Sequence, residues 1–178
     1  MIAADGPLNP YLAPAEELMG PFMKNRHDVV SRCIDVGINL IDLAGDSQMI
    51  CIPYTSNTKA LPEDSMLDTA VKLDVGILGI KPFASNSLFR GDGSPDGPHV
   101  EEDNRIARMA IRYILNNPAI TAPIPGLISP AQVDNMKRAI QERRQLDLAE
   151  RMELDRASKR AWANLPRHYE WLKDWEYV

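Results

Sequence analysis

Residues 111–136, IRYILNNPAITAPIPGLISPAQVDNM, predict a helix, a short strand, a turn and a second helix in direct succession. Apolar residues of the first helix recur at i, i+4, i+7 and i+8 and form one stripe: Ile106, Ala110, Tyr113 and Ile114. Pro118 ends this helix, and the apolar run 120–124 is short enough for a buried strand.

The second helix carries strong signals at its start. Pro125 and Gly126 break the strand, Ser129 can cap the helix, and Pro130 suits its first turn. Gln132 stands three residues after Ser129 and completes a capping box. Because the first amide groups of a helix lack intrahelical partners, a strand that ends at such a start is a generic anion site.

Strands and helices alternate along the rest of the chain. Strands are predicted over 38–42, 48–53 and 75–81, in addition to 120–124. Helices are predicted over 26–36, from Pro62 onward with Val71 on its buried side, over 101–116, over 130–141, and from a capping box at Asp147 and Glu150 to Asn164. This alternation predicts an α/β fold with a parallel sheet.

The composition is that of an ordinary globular domain, with 178 residues, 44% hydrophobic and 25% charged. The net charge of −5 argues against a general nucleic-acid or anionic-membrane binder. No apolar run is long enough for a bilayer and no signal peptide is recognised, so we expect a cytoplasmic protein. Cys33 and Cys51 are expected to be buried and reduced, with neither a disulfide nor a metal site.

Three segments resemble the aldo-keto reductase family, in the order that the family has them. DVVSRCIDVGINLIDLA (28–44) resembles its first helix and second strand, and GILGIKPFASNSLFRG (76–91) resembles its seventh strand and pyrophosphate loop. The segment NPAITAPIPGLISPAQVDNM (117–136) resembles its last strand and the helix that follows. The end of the chain, 160–178, is similar to the tails of a bacterial subgroup of predicted oxidoreductases.

The resemblance implies a TIM barrel from which the middle is missing. A complete (β/α)₈ barrel needs about 250 residues, and this chain has 178. SQMICIPYTSN (47–57) resembles the sixth strand, yet it follows the second strand with no room for a crossover helix. We therefore expect a truncated barrel of about four parallel strands over 23–163, after an irregular arm at 1–22 and before an aromatic tail at 164–178.

By the same resemblance, Asp42 matches the catalytic Asp of the family. The family places its catalytic Tyr five residues later, where this chain has Ser47, and its Lys and His come from the missing strands. The alternative for Asp42 is a structural one, in which it caps the turn after its strand. Tyr54 is interpreted as a packing residue at a strand end.

The resemblance also implies a site for NADP(H) or NAD(H). Four residues would lie along the pyrophosphate: Lys81, Pro82, Phe83 and Ser85. Four others would contact the adenosine end: Gly126, Ser129, Gln132 and Asn135. Ile128 and Gln132 stand where NADPH-binding members often have Arg or Lys, which leaves the preference for the 2′-phosphate open. The alternative is that these residues are kept for the turn and the helix cap alone.

Three functions remain open at this point. The first is an aldo-keto reductase-like oxidoreductase that acts on a small carbonyl compound, impaired because Tyr, Lys and His are missing. The second is a non-catalytic nucleotide-binding or oligomeric remnant, and the third is the product of a recombined gene with no selected function. A short sheet has open edges and the tail is aromatic at Trp171 and Trp175, so we expect a homodimer.

Overall fold

The structure is a computed structural model, and it describes residues 49–58, 66–72, 75–91, 94 and 96–174. The contacts divide the chain into two units. One unit consists of Gln48–Gly126 and Asn135–Val178. The other consists of Met1–Ser47 and Leu127–Asp134, and of this unit the structure describes Leu127–Asp134. The helix predicted over 26–36, the strand predicted over 38–42, Asp42 and the 42–48 join all lie outside the described residues.

The described strands form a three-stranded parallel sheet. The strands are β1 (Met49–Pro53), β2 (Gly76–Ile80) and β3 (Ala122–Ile124), in the order β1-β2-β3. This arrangement confirms three of the four predicted strands and their parallel pairing, although β3 begins two residues later than predicted. The fold is a mixed α/β one.

The described helices agree closely with the sequence prediction. They are α1 (Met66–Lys72), α2 (Val100–Leu115), α3 (Pro130–Gln141) and α4 (Leu148–Ala163), followed by a 3₁₀-helix at Arg167–Lys173. The capping box at α4 is confirmed, because Glu150 N donates to Asp147 Oδ1 at 2.9 Å and Asp147 N donates to Glu150 Oε2 at 2.9 Å. Among the helices of the described part, none combines the length and apolar character needed to cross a bilayer.

One face of the sheet packs against α1 and α2. The buried side chains of this core are Ile52, Tyr54, Ala70, Ile77, Ile114 and Ile120. The stripe predicted on α2 is confirmed, since Ile106, Ala110 and Ile114 are buried and Tyr113 is half-buried. Gly79 lets Tyr54 cross this face, because a Cβ at position 79 would stand only 3.2 Å from the Tyr54 Cβ.

Two burial predictions are wrong. Cys51 is exposed, since side chains alternate along β1 and its neighbour Ile52 takes the core-facing position. Val71 is 60% exposed, because Leu67 and Ala70 occupy the contact with the core and Val71 lies at the edge of their stripe.

Candidate functional site

The carboxyl ends of the three strands lie side by side. Pro53 is paired with Ile80, and Ile80 is paired with Ile124. Residues 54–57, 81–91 and 125–126 therefore leave the sheet along one edge. Parallel α/β sheets bind ligands at this edge, because the loops that follow the strands meet there. We take it as the candidate site.

The loop after β2 has a left-handed backbone. Lys81 has a φ of 57°, and three consecutive residues, Ala84, Ser85 and Asn86, have φ of 47°, 54° and 69°. For residues other than glycine, this conformation costs roughly 1–2 kcal/mol each. The turn is closed by hydrogen bonds from Ala84 N to Lys81 O at 2.9 Å and from Phe89 N to Asn86 O at 3.0 Å. Strained backbone of this kind is found preferentially at functional sites.

Two polar groups of this turn lack ordinary partners. Within the described part of the chain, no carboxylate forms an ion pair with Lys81, whose Nζ instead lies 5.3 Å from the centroid of the Tyr169 ring. Ser85 Oγ is buried and has no hydrogen-bond partner among the same residues. A buried hydroxyl without a partner costs about 1–3 kcal/mol. Both groups can donate a hydrogen bond to an anionic ligand, and contact with Ser85 Oγ would require the side chain to turn outward, because the atom is buried in this structure.

Packing against the C-terminal part of the chain holds the turn in place. Ala84 belongs to a buried cluster with Leu165 and Leu172. The Leu88 carbonyl accepts a hydrogen bond from Arg160 Nη2 at 3.2 Å. Two of the predicted cofactor residues of this turn, Pro82 and Phe83, are buried, and the Phe83 ring lies 5.0 Å from that of Phe89. They shape the turn, whereas Lys81 and Ser85 supply its polar groups.

Gly126 follows β3 at the same edge. It is exposed, and a Cβ placed on it would meet no atom within 4 Å. In the unit that contains Leu127–Asp134, Gln132 N donates to Ser129 Oγ at 3.3 Å, and Ile128 N donates to Gln132 Oε1 at 2.8 Å. The cap by Ser129 is confirmed, while Gln132 reaches back one residue further than a standard capping box. That these residues bind a cofactor stays a prediction.

Both polar atoms of the Asn135 side chain form hydrogen bonds. Its Oδ1 accepts from Arg108 Nη1 at 2.7 Å, and its Nδ2 donates to the Asn104 carbonyl at 2.9 Å. A role for Asn135 at the adenine stays a prediction, and it would require these hydrogen bonds to be exchanged.

Tyr54 is a packing residue of the core. It is 8% exposed, and its hydroxyl accepts a hydrogen bond from Asn117 Nδ2 at 2.7 Å. The packing interpretation of Tyr54 is confirmed.

A second concave region lies between α2 and the connection from α3 to α4. Its volume is about 300 Å³, and it is lined by Arg105, Arg108, Met109, Arg112, Glu142, Arg143 and Glu150. Each guanidinium has a carboxylate partner. Arg105 pairs with Glu153 at 2.5 Å and Arg108 with Glu142 at 2.7 Å, while Arg112 and Arg143 both pair with Glu150. The positive charges are therefore matched inside the protein.

Arg112 is the centre of this network. It is 2% exposed, and its guanidinium donates to the Glu150 carboxylate with both Nη atoms, at 2.8 and 3.0 Å. Its Nε donates to the Arg143 carbonyl at 2.7 Å and Nη2 to the Gln145 carbonyl at 3.2 Å, while Nη1 also reaches Glu142 at 3.0 Å. All donors of the fork are used, so the network is structural.

Acid should weaken this network. Hydrogen bonding from Arg112 lowers the pKa of Glu150, and the backbone N–H of Glu150 lowers the pKa of Asp147. Because both folded-state values lie below the unfolded ones of about 4.3 and 3.9, the stabilisation is complete above about pH 5 and is lost as the pH falls through the folded values. Urea unfolding at a series of pH values should show this loss as a fall in the free energy of unfolding below about pH 5. The free energy of unfolding of Glu150→Gln should depend less steeply on pH. An equal dependence on pH in wild type and variant would contradict the role of Glu150.

Comparison of the chain with protein-family models, with curated proteins and with solved structures gives no match. The aldo-keto reductase resemblance therefore depends on the quoted segments alone. Within the described ranges, no three His, Cys, Asp or Glu side chains come close enough together to hold a metal ion.

Two residues of these sites were not singled out from the sequence. Arg112 is flanked by Ile111 and Tyr113 in an apolar stretch, and a cation in such a place signals a buried carboxylate partner. Tyr169 lies in the aromatic tail, outside the pair Trp171 and Trp175 that is spaced at i and i+4. Nothing in the local pattern pairs Tyr169 with Lys81, which is distant in the chain.

Proposed function

We propose that this chain is an aldo-keto reductase-like protein that binds NAD(H) or NADP(H) at the carboxyl edge of its sheet, with impaired carbonyl reduction. One observation carries the proposal. The turn after β2 is held in a left-handed conformation with an ammonium group that has no carboxylate partner in the described part and with a buried Ser85 hydroxyl that is unpaired there.

The chemistry of that turn suits the pyrophosphate of a dinucleotide. Lys81 supplies a positive charge, and Ser85 supplies a hydroxyl donor from the same turn. Hydrogen bonds from charged groups contribute about 1.5–3 kcal/mol each, so a phosphate offsets part of the strain. Gly126 stands open at the end of the neighbouring strand, where backbone can approach a ligand closely.

A non-catalytic nucleotide-binding protein is the second candidate. Its specific support is Tyr54, the tyrosine that follows β1 at this edge. Since its ring is in the core and the residue is only 8% exposed, it is not placed to donate a proton to a substrate. Under either candidate, the sheet would belong to an incomplete barrel in a cytoplasmic protein, and a second copy would cover the edges of β1 and β3, which pair with no further strand among the described residues.

Titration of NADH and NADPH, followed by cofactor fluorescence, tests the proposal. We expect both to bind, and Lys81→Met to weaken binding by about 10-fold or more, because one charge-assisted contact is removed. Lys159→Met is the matched control, since Lys159 is 74% exposed and pairs with Asp155 on the surface of α4. The resemblance provides no cation for the 2′-phosphate, so NADH and NADPH should bind within about 10-fold of each other.

The outcomes separate the candidates. Carbonyl-dependent loss of NADPH absorbance that disappears in Asp42→Asn would support an active reductase. Binding without turnover would support the non-catalytic protein. If neither cofactor binds, or if Lys81→Met and Lys159→Met behave alike, the proposed site is wrong.

A further inference from the structure

Tyr169 and Lys81 form a contact between the C-terminal 3₁₀-helix and the turn after β2. The Lys81 Nζ lies 5.3 Å from the Tyr169 ring centroid, which is within the range of a cation–π interaction. Both side chains are half-buried. Among the described residues, the Tyr169 ring is the partner of the Lys81 ammonium, and we infer that this contact sets the position of the ammonium group.

Packing fixes the Tyr169 ring itself. Its backbone N–H donates to the Pro166 carbonyl at 2.7 Å, and its ring lies 4.3 Å from the ring of His168. Together with Trp162, it packs against the buried cluster of Ala84, Leu165 and Leu172. Because Ala84 belongs to the same turn as Lys81, the ring and the ammonium are held by one local assembly.

An aromatic partner differs from a carboxylate in its effect on a lysine. It restrains a side chain that otherwise has large rotamer freedom. It carries no net charge, however, so the ammonium keeps its charge and can still donate to an anion. A carboxylate in the same place would compete with the ligand. Tyr169 therefore has the properties of a group that orders Lys81 before a ligand arrives.

We propose that Tyr169 is a positioning residue that holds the Lys81 ammonium in place for the phosphate groups of a bound dinucleotide. The proposal rests on the proposed function for its ligand. It adds the 3₁₀-helix, which the sequence placed in a separate tail, to the site at the edge of the sheet.

Binding of NADH by three single variants and one double variant tests the role. Tyr169→Phe keeps the aromatic face and should bind within about 2-fold of the wild type. Tyr169→Leu keeps apolar bulk without that face and should bind about 2- to 10-fold more weakly. In a Lys81→Met background, Tyr169→Leu should add no further loss, which a general packing defect would not reproduce.

A readout without ligand keeps the two proposals distinguishable. In lysine-labelled protein, the Cε protons of Lys81, assigned through Lys81→Met, should be shifted upfield by the Tyr169 ring. The shift should persist in Tyr169→Phe and vanish in Tyr169→Leu. Its absence in the free wild type would overturn the inference whatever the cofactor does. Equal NADH binding by Tyr169→Leu and wild type would overturn it while leaving the proposed function standing, and no binding by the wild type would overturn both.

Discussion

Replacement of Arg112 by Met should lower the free energy of unfolding by about 3 kcal/mol, the lower end of the cost of removing one partner from a buried ion pair. Methionine fills a similar volume but donates no hydrogen bonds. The variant would leave Glu150 Oε1 and two backbone carbonyls without the donor that Arg112 supplies. The effect is placed at the lower end because Glu142 and Glu150 are partly exposed and can be rehydrated.

Urea unfolding followed by circular dichroism measures this loss, and the network offers its own control. Arg105→Met removes a guanidinium that is 54% exposed and paired with Glu153. Exposed ion pairs contribute about 0–1 kcal/mol, so this variant should remain close to the wild type. If Arg112→Met and Arg105→Met lowered the free energy of unfolding equally, neither the burial of Arg112 nor its carbonyl acceptors would add to the stability of the protein.

Ile114→Ala should destabilise the protein by about 2–5 kcal/mol, the range for large-to-small changes at fully buried sites. Ile114 has no exposed surface and lies in the cluster that joins α2 to the sheet, beside Ile77 and Ile120. Removal of its side chain leaves a cavity between helix and sheet. Thermal or urea unfolding reports the loss.

Ile140→Ala provides the matched comparison. It is the same substitution in another helix, α3, at a side chain that is 62% exposed. Alanine is the better helix former, so we expect a change within about 0.5 kcal/mol. If Ile114→Ala proved as mild as Ile140→Ala, the packing of α2 on the sheet would be wrong.

The local features of the fold could be predicted from the sequence. The stripe of Ile106, Ala110 and Ile114 and the box of Asp147 and Glu150 depend on spacings within one or two helical turns. Such signals are complete within a short window. The strand positions followed from apolar runs, although the exposure of Cys51 did not, because an apolar run does not reveal which residues face the core.

The long-range features could not be predicted. The partners of Arg112 come from the connection after α3 and from α4, about 30 or more residues away, and the partner of Lys81 comes from the end of the chain. The left-handed turn was not predicted either, since Ala84 and Ser85 carry no local signal of positive φ and Asn86 alone belongs to a residue type that favours it. Contacts with the C-terminal part of the chain hold the turn in this left-handed conformation, and a local sequence pattern does not reveal such contacts.

The bonds of Arg112 also change how the connection between α3 and α4 should be treated in protein engineering. Residues 143–145 are exposed and lie outside regular secondary structure, which normally marks a tolerant place for an inserted tag, a fused domain or new chain termini. Here the carbonyls of Arg143 and Gln145 are anchored from inside the molecule by one buried guanidinium. An opening of the chain at this point would displace two hydrogen-bond acceptors of Arg112, the residue that also joins α2 to Glu150 of α4.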